Sequence, residues 1–109
     1  MRYEIKVTAQ AQEQLREIRD YITQELLSPE AARNTILLLT SAMETLAEML
    51  ARVRLMDGEP WHTWGIRMKA VGNFLIYFRI DEKNAVVQVI AVIYARRNQP
   101  QILSHLDFQ

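Results

Sequence analysis

At Ile66 the hydrophobic period of the chain changes, and this limits the folds open to it. Ile66 to Ala70, Phe74 to Ile80 and Val86 to Tyr94 read as strands, rich in β-branched and aromatic residues. Val71-Gly72-Asn73 and Asp81-Glu82-Lys83-Asn84 separate them. Both connections suit tight hairpins, so the three strands predict an antiparallel meander. Alternation puts Phe74, Ile76, Phe78 and Ile80 on one face, with Leu75 and Tyr77 on the other. The same rule sets Val87, Val89, Ala91 and Ile93 against Val86, Ile90 and Val92. The last two strands are thus apolar on both sides, and both sides need cover. Helices can take one. For the other, the candidates are the segment Gln99 to Phe108 and a partner chain.

The first half supplies the helices. Tyr3 to Val7 alternates and reads as a first strand. Thr8 then offers an N-cap. Ala11, Leu15, Ile18 and Ile22 recur at helical spacing, predicting a helix from about Ala9 to Glu25. Ser28-Pro29-Glu30 opens a second helix: Ser28 caps, Pro29 needs no N–H partner there, and Glu30 suits the positive helix end. Ala32, Ile36, Leu39, Met43, Leu46 and Leu50 form its stripe, which Leu37, Leu38 and Ala42 are expected to widen. The short link from Leu26 to Pro29 makes the two helices an antiparallel hairpin. Arg52 to Gly65 is irregular, with turn signals at Asp57-Gly58 and Pro60. Trp61, His62 and Trp64 cluster there. The tryptophans either seal the core where the second helix meets the sheet or form a target-contacting loop.

Composition narrows the class. The chain has 109 residues, 50% hydrophobic and 24% charged, which predicts one packed domain over 1–109. It has no cysteine, so disulfides and thiolate metal sites are excluded and a reducing cytoplasm is expected. Met-Arg-Tyr-Glu-Ile-Lys is charged from the start, so no secretory leader is expected, and the apolar runs are too short to span a bilayer. His62 and His105 lack partners at metal-ligand spacing. No phosphate-cradling glycine loop or Gly-x-Ser-x-Gly elbow occurs, so no metal and no cofactor are expected.

What remains is positive charge. The formal net charge is zero, but residues 1–51 hold five basic and eight acidic groups and residues 52–109 the reverse, eight and five. Arg67 and Lys69 lie two apart on one strand and share a face. Arg79 lies on the next strand, and Arg96 and Arg97 follow the last. Such cations can grip a phosphodiester, clamp a carboxylate-rich protein surface, or simply sit in solvent.

Two motifs resemble the RelE/ParE superfamily, the toxins of bacterial type II toxin–antitoxin pairs. Ile66-Arg67-Met68-Lys69-Ala70-Val71-Gly72-Asn73-Phe74-Leu75-Ile76-Tyr77 is similar to that family's Arg-Arg-Leu-Pro-Val-Gly-Asn-Tyr-type hairpin. Val92-Ile93-Tyr94-Ala95-Arg96-Arg97-Asn98 is similar to its His-x-x-Arg-Asp or His-x-Arg-Arg-Asp ending, with Tyr94 in place of the His and Asn98 in place of the Asp. The resemblance implies an α+β domain of order β-α-α-β-β-β and a cytoplasmic toxin neutralised by a cognate antitoxin. It leaves open a homodimer or a heterotetramer with that antitoxin. ParE-like members poison DNA gyrase; RelE-like members cut mRNA on the ribosome. Leu75 stands where RelE-like members carry an arginine, and Gln101 or a neighbour where they carry a late tyrosine. The resemblance therefore implies the gyrase mode first, with Arg67, Lys69, Tyr94, Arg96 and Arg97 as target-binding residues. In the nuclease alternative, Arg67, Lys69, Arg96 and Arg97 would be catalytic. A non-toxic copy that only binds antitoxin is the third reading.

Overall fold

The computed structural model describes residues 3–25, 27–49, 55 and 59–94. Its elements are β1 (Glu4–Val7), α1 (Ala9–Glu25), α2 (Pro29–Met49), β2 (Ile66–Val71), β3 (Phe74–Asp81) and β4 (Val86–Tyr94). The expected order β-α-α-β-β-β holds, and the fold is α+β. Among the described residues, no helix is long and apolar enough to cross a membrane.

Local chemistry starts both helices. The backbone N–H of Ala11 donates to the Thr8 hydroxyl at 3.2 Å, and that of Ala31 donates to the Ser28 hydroxyl at 3.1 Å. Each cap satisfies an N–H that the first helical turn leaves without a partner. The hairpin turn between β2 and β3 is equally local. Val71 pairs with Phe74, leaving Gly72 and Asn73 as a two-residue loop. Gly72 has φ +57°, which the mirror-image hairpin turns require at their first central position.

The sheet order is β1-β4-β3-β2. β2, β3 and β4 form the expected antiparallel meander. β1 joins it beside β4, in parallel. The helical hairpin covers one face. Ala11, Leu39, Met43 and Leu46 from the helices meet Ile76, Phe78, Val87, Val89 and Val92 from the sheet, all at most 2% exposed. The opposite face carries a second cluster: Ile66, Leu75, Tyr77, Ile90, Ala91 and Ile93. Its members are at most 6% exposed, and Trp61 packs against them. Gln99 to Phe108, a candidate cover, lies outside the described residues.

Two expectations fail. Ala91 and Ile93 do not share a face with Val87 and Val89. Tyr77 pairs with Ala91 but Phe78 with Val89, so Ile90 is skipped. This one-residue bulge reverses the alternation beyond it. Val92 therefore joins the helix-side core, while Ala91 and Ile93 join Ile90 on the far side. The second failure is on α2, where Leu37 and Leu38 are 57% and 52% exposed and do not widen the buried stripe. At about 100° per residue, Leu37 lies roughly 160° around the helix from Leu39. Ala42 does pack against the core.

Candidate functional site

Register decides which cations meet. Arg67 pairs with Phe78 and Lys69 with Ile76, so both extend from the helix-side face of the edge strand β2. Both are half-buried. Arg67 also bridges to Leu55, which occupies part of the outer edge of β2. Arg79 pairs with Ile66 and so faces the far side, where it donates a hydrogen bond to Gln88 at 3.2 Å. Arg67 and Lys69 thus share a face as expected, and Arg79 lies on the other. An odd register offset is the reason: it flips a side chain to the other face. Arg96 and Arg97 lie outside the described residues.

Tyr94 pairs with Phe74, and Phe74 with Val71. All three therefore share the face of Arg67 and Lys69. The Tyr94 and Phe74 rings pack with centroids 5.6 Å apart and planes tilted by 38°. From Lys69, Tyr94 is about 10 Å across two strands and about 7 Å along them. The site is thus a cationic pair at the sheet edge with an aromatic pair at the strand end. It can bind an anionic surface by charge and stack against a planar group. Among the described residues, no group of His, Cys, Asp or Glu is placed to hold a metal ion.

The segment before β2 divides its aromatics. Trp61 is half-buried and packs against the far-side cluster, not at the junction of α2 with the sheet. Trp64 is 44% exposed. Glu59 organises this turn: its carboxylate accepts from the Thr63 backbone N–H at 3.2 Å and from the Thr63 hydroxyl. These bonds, the hydroxyl's first, hold the Glu59 pKa below the usual carboxylate value. His62 Nδ1 lies 3.9 Å from the same carboxylate.

The comparisons with known proteins agree with this architecture. A family profile described as "ParE toxin of type II toxin-antitoxin system, parDE" matches residues 5–99. The chain belongs to this ParE toxin family. Its fold is similar to the chromosomal ParDE system of P. aeruginosa, with TM-score 0.72 and 19% identity over 86% of this chain and 97% of that one. It is also similar to the RelBE2 toxin–antitoxin complex of Mycobacterium tuberculosis, with TM-score 0.61 and 18% identity over 86% and 99%. A free-state mutant of the E. coli RelE toxin gives TM-score 0.62 and 14% identity over 97% and 95%. No curated protein matches the sequence. At these identities the solved structures bear on the fold of this ParE toxin, and its chemistry rests on its own residues.

Sequence reasoning missed Phe74 as the ring partner of Tyr94, and the polar contacts that the cap Thr8 and α1 make with β4. The Thr8 hydroxyl and Gln10 Nε2 each donate to the Ile90 carbonyl at 3.0 Å. The Val92 N–H donates to Gln14 Oε1 at 2.8 Å. One signal was available: two glutamines four apart, flanking the small Ala11 beside an apolar stripe.

Proposed function

We propose that this ParE toxin inhibits growth by binding DNA gyrase, acts in the cytoplasm as one domain over 1–109, and is held in check by a cognate antitoxin. Leu75 carries the choice of target. It is 6% exposed inside the far-side cluster, at the position where RelE-like nucleases resemble this chain but bear an arginine. A cation there would be buried among Ile66, Tyr77 and Ile93, at high desolvation cost. Without it, Arg67, Lys69 and Tyr94 serve better as contacts to a protein surface than as a phosphate-cleaving set. Arg96 and Arg97 extend that contact. The antitoxin follows from the similar structures, which are toxin–antitoxin systems.

Induced expression in growing bacteria, with pulse-labelling of DNA and protein synthesis, tests the reading. An early stop in DNA synthesis, with loss of supercoiling by purified gyrase, is expected. An early stop in translation with mRNA cut at codons would establish the endoribonuclease instead. Normal growth with folded protein present would mark a non-toxic copy that only binds antitoxin.

A further inference from the structure

The β4 bulge is held from outside the meander. Val89 and Ile90 turn two successive carbonyls toward the corner where β1 becomes α1. The Val89 carbonyl accepts from the Thr8 backbone N–H at 3.0 Å. The Ile90 carbonyl accepts from the Thr8 hydroxyl and from Gln10 Nε2, each at 3.0 Å. A regular strand alternates its carbonyls between its two neighbours, so this shared direction belongs to the bulge. Two residues on, the Val92 N–H donates to Gln14 Oε1 at 2.8 Å. β1 has already ended, since its last pair is Val7 with Val89. The first turns of α1 thus continue along β4 by side chain where β1 stops. Ala11, fully buried between the two glutamines, lets the helix approach this closely.

We infer that Gln10 and Gln14 are positioning residues for the target-contacting face. They hold the bulge, and the bulge puts Tyr94 on the side of Arg67 and Lys69. Uninterrupted alternation from Val89 would send Val92 and Tyr94 to the far side. The bulge brings both to the helix side, where Tyr94 meets Phe74. Each glutamine supplies what the strand lacks there: an amide donor for a second carbonyl and an acceptor for an N–H. The functional half of this inference rests on the proposed target-binding role of that face; the structural half does not.

The test is nuclear magnetic resonance on the full chain carrying Gln10→Leu with Gln14→Leu, beside Gln14→Glu. In the double variant the Tyr94–Phe74 ring contact should disappear, and Val92 amide exchange should quicken at least about tenfold. Helical circular dichroism should persist, and growth arrest should weaken. Gln14→Glu keeps an acceptor for Val92 and should retain the ring contact, the slow exchange and the arrest. If the double variant does not fold, Gln14→Leu alone is read by the same ring contact. A preserved contact with slow exchange in the leucine variants overturns the inference. Lost contact with undiminished arrest overturns the functional half. If the unaltered chain causes no arrest, the proposed function fails, and the ring contact and exchange still decide whether the glutamines hold the bulge.

Discussion

The two faces of the sheet are built from the same kind of residue and do different work. The far side is an apolar cluster of strand residues, with Trp61 packed against it. The helix side joins elements distant in sequence and carries Arg67, Lys69 and Tyr94 on its margin. Composition does not separate them, since Ile, Val, Leu and aromatic residues serve both. The difference lies in polar chemistry. At the start of α1, the cap Thr8 and the helix residues Gln10 and Gln14 bond to β4 backbone groups. Among the described residues, the far side has no charged group inside its cluster, and Arg79 is half-buried on that face.

The sharpest way to break this contrast is to put charge into the far cluster. Leu75→Arg restores the residue type of the RelE-like motif. It should cost more than about 4 kcal/mol, because a lone guanidinium is buried without a partner. Urea titration should then show a largely unfolded chain and no gain of RNA cleavage; a stable fold that cuts mRNA would reverse the target assignment. Next in size is Phe78→Ala in the helix-side core, expected to cost about 3–4 kcal/mol by the same titration. A loss below about 1 kcal/mol would mean the helix-side core collapses around the gap.

Tyr77 sharpens the comparison through pH. It is fully buried in the far cluster, and burial pushes its pKa up to about 12 from 10.0. The unfolded chain therefore releases this proton first as pH rises. Stability should be unaffected by this group below pH 10 and should fall as pH climbs toward about 12. Tyr77→Phe should flatten that fall in urea midpoints measured across the alkaline range. The smallest stability effect belongs to the proposed contact face. Arg67→Ala with Lys69→Ala should change the stability read by urea titration by less than about 1 kcal/mol, since both are half-buried on an edge strand. Yet binding to gyrase should weaken at least about tenfold, the scale of losing charged contacts at an interface. Unchanged binding would remove these two residues from the site.

Part of the site was legible because strand periodicity is local. Arg67 and Lys69 are two apart, so their shared face needed only the strand itself. Which cations of the neighbouring strand would join them was not legible, and the pairing of Arg79 with Ile66 puts it on the other face. Tyr94 was named from its motif, but its face depended on a bulge four residues earlier. That bulge depends in turn on bonds between residues about 80 positions apart. Trp61 could be read as packing, yet which core it packs against followed only from the register of β2.

By itself, the sequence determined the features whose causes lie within a few residues. These are the Thr8 and Ser28 caps, the α1 and α2 stripes, the Gly72 turn and the antiparallel meander. Their energetics involve neighbours along the chain, so pattern and spacing suffice. Tertiary structure decided the parallel docking of β1 on β4, the exposure of Leu37 and Leu38, and the burial of the far face. It also decided the reversal at Ile90 that gives Tyr94 its neighbours. Each of these turns on which backbone groups find partners across the fold, and an uninterrupted apolar run such as Val86 to Tyr94 carries no mark of where its ladder will slip.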